Sequence, residues 1–146
     1  MKAKMILAAA LVAICGASAQ AKTHEIKMLN MSKDGPMGFE PAYLKAAPGD
    51  SVKFVPTDKA HSSSSVEVPA GAKPWNGKVD EAITVKLDKE GVYVYTCTPH
   101  AAMNMTGIIQ VGKPTNLDAA KAAVEKVTAA AAMNKDRLKK HLAEVK

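Results

Sequence analysis

Beyond position 21, apolar and polar residues alternate in short runs divided by turn residues. The alternation has a period of two, the period of a half-buried strand. It predicts strands at His24–Leu29, Ala42–Ala46, Ser51–Val55, Ser64–Val68, Ala82–Leu87, Val92–Cys97 and Thr106–Val111. Val52 and Phe54, and then Ile83, Val85 and Leu87, mark the inward face. Pro48-Gly49-Asp50 and Asp88-Lys89-Glu90-Gly91 supply turns, and strands at this spacing belong to a sandwich. Pro69–Lys78 is irregular in composition, and its Trp75 is expected to fold onto the sandwich. After Gly112-Lys113-Pro114 the period lengthens to that of a helix. Leu117–Ala132 places Ala120, Val124, Val127 and Ala131 on one face, with Thr115 or Asn116 as its cap. A second helix is expected over Lys135–Val145, capped by Asn134, with Leu138, Leu142 and Val145 in one stripe. The pattern predicts an all-β sandwich over residues 22–113, with a helical hairpin (114–146) covering one sheet face or edge. There is no internal repeat.

The first 21 residues break this pattern. Lys2 and Lys4 precede the apolar run Met5–Cys15, and the small-x-small sites Ala17-Ser18-Ala19 and Ala19-Gln20-Ala21 follow it. That order is an export signal, and the run is too short to cross a bilayer. Ile14 before Cys15 argues against lipid attachment at that cysteine. Cleavage after Ala21 (Ala19 is the other candidate site) leaves 125 of the 146 residues and lowers the formal charge from +6 to +4. It also removes Cys15, so that Cys97 is the sole remaining cysteine. A lone thiol in an oxidising compartment forms no internal disulfide, and it needs protection or a ligand. The 4% aromatic content argues against a stacking surface for nucleic acid.

Cys97-Thr98-Pro99-His100-Ala101-Ala102-Met103-Asn104-Met105 is the chemically dense segment. A thiol, an imidazole and two thioethers lie there between one strand and the next. His61 follows another strand, 36 residues upstream. A thiolate and two imidazoles with a weak axial thioether are the donors of a blue-copper electron-transfer site. Soft sulfur suits Cu(I), imidazole suits both oxidation states, and a neutral methionine leaves the potential adjustable. Competing readings are weaker. A Cys–His nucleophile lacks an orienting acid here, C-x-x-C-H haem attachment is absent, and zinc has no use for the methionines. His24 and His141 need no metal role, and Met28, Met31 and Met133 are assigned to packing or the surface.

Asp58-Lys59-Ala60-His61, Cys97-Thr98-Pro99-His100 and Met105 resemble the type 1 copper site of the cupredoxins, and within them that of the pseudoazurins. Met28-Leu29-Asn30, Lys33-Asp34-Gly35-Pro36-Met37, Phe39-Glu40-Pro41, the Ala47-Pro48-Gly49-Asp50 turn and the paired C-terminal helices extend the resemblance over the whole mature chain. It implies a Greek-key sandwich of about eight strands. It further implies a soluble, monomeric, periplasmic electron carrier, not an enzyme, that serves a denitrification reductase such as nitrite reductase. The implied ligands are His61, Cys97, His100 and, axially, Met105 rather than Met103. Two departures stand out. Ser62 replaces the usual Asn after the upstream His, and its hydroxyl could bond Thr98 instead. Pro99 offers no N–H to the sulfur, which lowers the potential.

His61 is then expected inside and His100 at the solvent edge. Pro36, Met37, Ala101, Ala102 and Met103 would form an apolar docking patch flanked by Lys33 and Lys59. Thr96 and Met31 stand where pseudoazurins often carry lysine, which thins that basic ring. Redox proteins, and neither nucleic acid nor membrane, are the expected partners. The competing function is a copper chaperone or store using the cluster His100, Met103 and Met105.

Overall fold

The structure, a computed structural model, describes residues 19–146; most of the expected export signal therefore lies outside the described residues. Eight strands form two sheets: β1 (Thr23–Ser32), β2 (Gly35–Glu40), β3 (Tyr43–Ala46), β4 (Asp50–Pro56), β5 (Ser64–Glu67), β6 (Ile83–Leu87), β7 (Gly91–Thr96) and β8 (Thr106–Val111). The first sheet runs β2-β1-β4-β6 and the second β3-β8-β7-β5. β1 lies parallel to β4 and β3 parallel to β8; the remaining pairs are antiparallel. Consecutive β2 and β3 sit in different sheets, so the chain crosses the sandwich at Pro41-Ala42.

Of the inward set expected from alternation, Val52, Phe54, Val85 and Leu87 are buried between the sheets, joined by Ile26, Met28 and Phe39, whereas Ile83 is half-buried at the core's margin. Aromatic rings occupy the centre. Tyr95 packs edge-on against Phe39 and Phe54, with centroids 4.8 and 4.9 Å apart. Trp75 does fold back onto the sandwich: it is buried and stacks on Phe54 at 5.9 Å. Its indole N–H donates to Ser63 Oγ (3.1 Å), which satisfies the one polar group it carries inward.

β7 reads Val-Tyr-Val-Tyr, apolar on both faces, and such a strand needs cover on both. Tyr93 and Tyr95 face the sandwich core, whereas Val92 and Val94 join Ile108 in a second cluster outside the sheet. Helices α1 (Leu117–Ala130) and α2 (Arg137–Leu142) supply its lid through Ala120, Val124 and Leu138.

Several boundaries differ from the sequence expectation. β2 carries Gly35, Pro36 and Gly38 and shows no alternation; it forms because β1 templates it from Lys27↔Glu40 to Ser32↔Gly35. It is an edge strand, where a proline is tolerated. α1 ends two residues early because the chain turns extended at Ala131. Asn116 does sit at the cap position of α1, but its side chain bonds no helix amide. It pairs instead with Val92, accepting from the N–H (2.7 Å) and donating to the carbonyl (2.9 Å), which fastens α1 to β7. α2 is shorter than expected, and Asp136 rather than Asn134 occupies its cap position. Asn134 adopts a left-handed turn at φ 52°.

The start of β1 is anchored on Asp50, which is buried. Its carboxylate accepts from the Lys22 N–H (2.9 Å), the Ala47 N–H (3.1 Å) and His24 Nε2 (2.7 Å). These donors, the Lys22 amide foremost, hold the Asp50 carboxyl well below the usual carboxylate range. A pKa lowered by folding adds stability above the unfolded value and loses it as pH falls toward the folded one. The protein should therefore lose stability progressively below about pH 4. Asp50→Asn should melt lower at neutral pH and show a shallower acid decline, as read from thermal midpoints between about pH 3 and 7. Parallel pH curves for the two proteins would refute this anchor.

Candidate metal centre

Cys97 lies one step beyond β7, where its N–H donates to the Met105 carbonyl at 2.9 Å and so extends the β7–β8 ladder. The seven intervening residues must close in a small space. They do so as a 3₁₀ segment, Thr98–Met103, that starts with Pro99 near its N-terminus. His100 N–H donates back to the Cys97 carbonyl at 3.1 Å, which places the imidazole beside the sulfur. Asn104 completes the reversal in the left-handed region at φ 54°.

His61 comes from the loop after β4. Asp80 shapes that loop: its carboxylate accepts from the Ala60 N–H (2.7 Å), and its own N–H donates to the His61 carbonyl (2.9 Å). His61 Nδ1 and His100 Nδ1 lie 3.7 and 3.5 Å from Cys97 Sγ. The three donor atoms fall within 4.8 Å of one another, and the two rings stand 4.9 Å apart at 55°. His61 Nε2 donates to Asn30 Oδ1 at 2.9 Å, so the Nδ1 lone pair faces the sulfur. Asn30 is itself fixed, its N–H donating to the Asp58 carboxylate at 2.7 Å.

The Ser62 N–H points at Cys97 Sγ from 3.5 Å, and Ser62 Oγ accepts from the Thr98 N–H at 3.4 Å. The serine thus links the two loops, as expected from its sequence position. Burial lowers the His61 pKa, and the neighbouring His100 lowers it further. Burial raises the Cys97 thiol, against the opposing effect of the Ser62 N–H. The site therefore favours a neutral His61 imidazole, the form a metal binds, and a thiol that surrenders its proton to a bound cation.

His61 and Cys97 are wholly buried and His100 is half-buried, which matches the expected inside and edge placements. Met105 is wholly buried in the same cluster as Cys97, whereas Met103 is half-buried at the surface. Pro36, Ala101, Ala102, Lys33 and Lys59 are exposed, and Met37 is half-buried. The remaining histidines are occupied elsewhere. His24 pairs with Asp50, and His141 bridges Asp34 (2.9 Å) and Glu144 (3.1 Å). Residues whose contribution sequence reasoning did not assign are Asn30, Asp80, Asn134 and Arg137. Only Asn30 carried a sequence hint, through its place in Met28-Leu29-Asn30.

A thiol and two converging imidazole nitrogens, with a buried thioether at Met105 immediately before β8, suit copper better than a harder ion. Comparison with known proteins points the same way. The profile of the copper-binding plastocyanin/azurin family matches residues 26–112. A pseudoazurin of Paracoccus pantotrophus is 46% identical over 119 residues, covering 80% of this chain and 81% of that one. A plastocyanin of Prochlorothrix hollandica is 34% identical over 115 residues, 73% of this chain and 86% of its own. The crystal structure of native pseudoazurin from Hyphomicrobium denitrificans superposes with a TM-score of 0.74 at 38% identity, covering 85% of this chain and 98% of that one.

Proposed function

The chain belongs to the plastocyanin/azurin family of copper-binding proteins, and from that premise we propose that it is a soluble periplasmic one-electron carrier serving a denitrification reductase such as nitrite reductase. It is a blue copper protein and an electron carrier, not an enzyme. The observation that carries the reading is the convergence of His61 Nδ1 and His100 Nδ1 on the buried Cys97 sulfur. His61, Cys97 and His100 would hold the metal, with Met105 as the axial donor. Copper supplies the one-electron couple between Cu(II) and Cu(I).

The protein's part is to keep those donors still. Asn30, Asp80, Ser62 and the β7–β8 ladder hold them in position. A preset donor set changes little between oxidation states, and that favours fast transfer. His100 is the donor nearest water, so the electron leaves through its edge. The apolar residues Pro36, Met37, Ala101, Ala102 and Met103 suit brief docking, with Lys33 and Lys59 steering an acidic partner. A periplasmic place is supported by the signal-like features of residues 1–21. The storage reading requires an open His100-Met103-Met105 face, and the complete burial of Met105 opposes it.

One pair of variants tests the reading. The copper-loaded protein should show an intense thiolate-to-copper band and a type 1 EPR signal. Met105→Leu should move both and shift the potential, whereas Met103→Leu should leave them as in the parent. A colourless copper protein that yields its metal readily to a chelator would defeat the carrier function. A strong response to Met103→Leu alone would defeat the axial assignment.

A further inference from the structure

The three residues that precede Met105, Ala102, Met103 and Asn104, are gripped by the turn that joins the two helices. The Ala102 carbonyl accepts from the N–H groups of Ala132 (2.8 Å) and Met133 (3.1 Å). The Met103 carbonyl accepts from Asn134 Nδ2 at 3.0 Å. The buried Asn104 side chain donates to the Asn134 carbonyl at 2.8 Å. Next along the chain comes Arg137, the first residue of α2, with its guanidinium turned inward and almost fully buried.

That guanidinium meets only backbone carbonyls. Nη1 donates to Met37 O (2.6 Å) and, at longer range, to Asn104 O (3.4 Å). Nη2 donates to Pro36 O (2.9 Å) and Asp34 O (3.0 Å). No ion pair of Arg137 occurs among the described residues. Burial lowers its pKa, as desolvation of a cation must. Packing alone does not account for such a residue, because an apolar side chain would seal a helix start without that desolvation cost. Four carbonyls from two segments converge on one planar fork, a geometry an ammonium cannot reproduce in full. One of those segments precedes Met105; the other carries Pro36 and Met37.

We propose that Arg137, together with the Ala132–Asn134 turn, is a positioning device for the metal loop: it sets where Met105 and His100 stand relative to Cys97 and locks the docking patch to that loop. The C-terminal hairpin thereby tunes the copper as well as covering the sheet. This rests on the ligand set proposed above. Asn134 fixes the loop from its outer side and Arg137 from below, so the two can be tested separately.

The experiment compares the copper-loaded parent with Arg137→Met, Arg137→Lys, Asn134→Gly and Leu138→Ala. Leu138 is buried in the outer cluster beside Arg137 and bonds nothing in the loop, so its truncation is a control for lost packing. Arg137→Met should shift the reduction potential and alter the thiolate-to-copper absorption and EPR signature. Arg137→Lys should restore part of the change. Asn134→Gly keeps the left-handed turn that glycine accepts and removes only the bond to Met103, so it folds even if Arg137→Met does not. It should show a smaller change of the same kind. Leu138→Ala should lower the melting temperature with parent spectrum and potential. The proposal is overturned if Arg137→Met, or Asn134→Gly where the former fails to fold, retains the parent potential and spectrum. A failed ligand assignment is recognised separately, because then the parent itself lacks the charge-transfer band.

Discussion

Cys97→Ser is expected to abolish the thiolate-to-copper absorption and to cut copper affinity by at least about 100-fold, a ligand mattering more than the outer-shell partners whose loss costs 10–100-fold. The sulfur stands at the centre of the site, 3.5 Å from His100 Nδ1 and 3.7 Å from His61 Nδ1. A hydroxyl is harder, holds its proton far more tightly and reaches less far, so it offers copper neither covalency nor charge. The fold should survive. The change conserves shape, and the Ser62 N–H that faces the sulfur can instead donate to the new oxygen. Titration with Cu(II) followed by absorption and EPR would separate the two effects, with circular dichroism reporting the sandwich. An intense visible band persisting in Cys97→Ser would rule out the thiolate as its source. A reactive thiol in the copper-loaded parent would point the same way, since a metal-bound sulfur is withdrawn from alkylation.

The parts of this molecule legible in its sequence are those whose cause is local. β4, β6 and β7 follow from strict alternation or from continuous apolar runs, and Cys97, His100 and Met105 lie within nine residues. β2 is not local. Gly35, Pro36 and Gly38 oppose a strand, and only pairing with β1 makes one. The shortened α1 has the same origin: the chain leaves the helix at Ala131 and then gives the amides of Ala132 and Met133 to Ala102, thirty positions away. Asn116 and Asn134 read as helix caps because asparagine favours caps locally, yet each spends its side chain on a distant strand or loop. Asn30 stands 31 positions from His61, and Arg137 stands 100 from Met37. No spacing rule connects such pairs. Soft donors clustered at strand ends identified the metal, whereas the groups that orient those donors, Ser62 excepted, became visible only once the sandwich closed.

Gly107→Ala is expected to lower the melting temperature by roughly 10 °C, at about 4 °C per kcal/mol for a domain of this size. Gly107 sits directly opposite Tyr95 in the β7–β8 register, and the tyrosine ring lies across the space a Cβ would fill. A methyl group there would collide with Tyr95 Oη and Cζ and would meet the Ala42 carbonyl at 2.9 Å. The ring cannot retreat. It is wholly buried and held edge-on by Phe39 and Phe54, and its hydroxyl has no hydrogen-bond partner among the described residues that could lead it elsewhere. Overpacking of this kind costs about 1–3 kcal/mol or more. In a Tyr95→Leu background the same glycine substitution should cost markedly less, because the obstructing ring has gone, so the two losses should fall short of additivity. Equal costs in both backgrounds would refute this packing account. The consequence reaches the metal loop. Tyr95 precedes Cys97 by two residues and Gly107 follows Met105 by two, so this crossing lies one pair inside Thr96↔Thr106, close to where the β7–β8 ladder gives way to the loop. A strand pair spread at that point would move both sulfur donors, so Gly107→Ala should disturb the copper spectrum as well as the melting temperature.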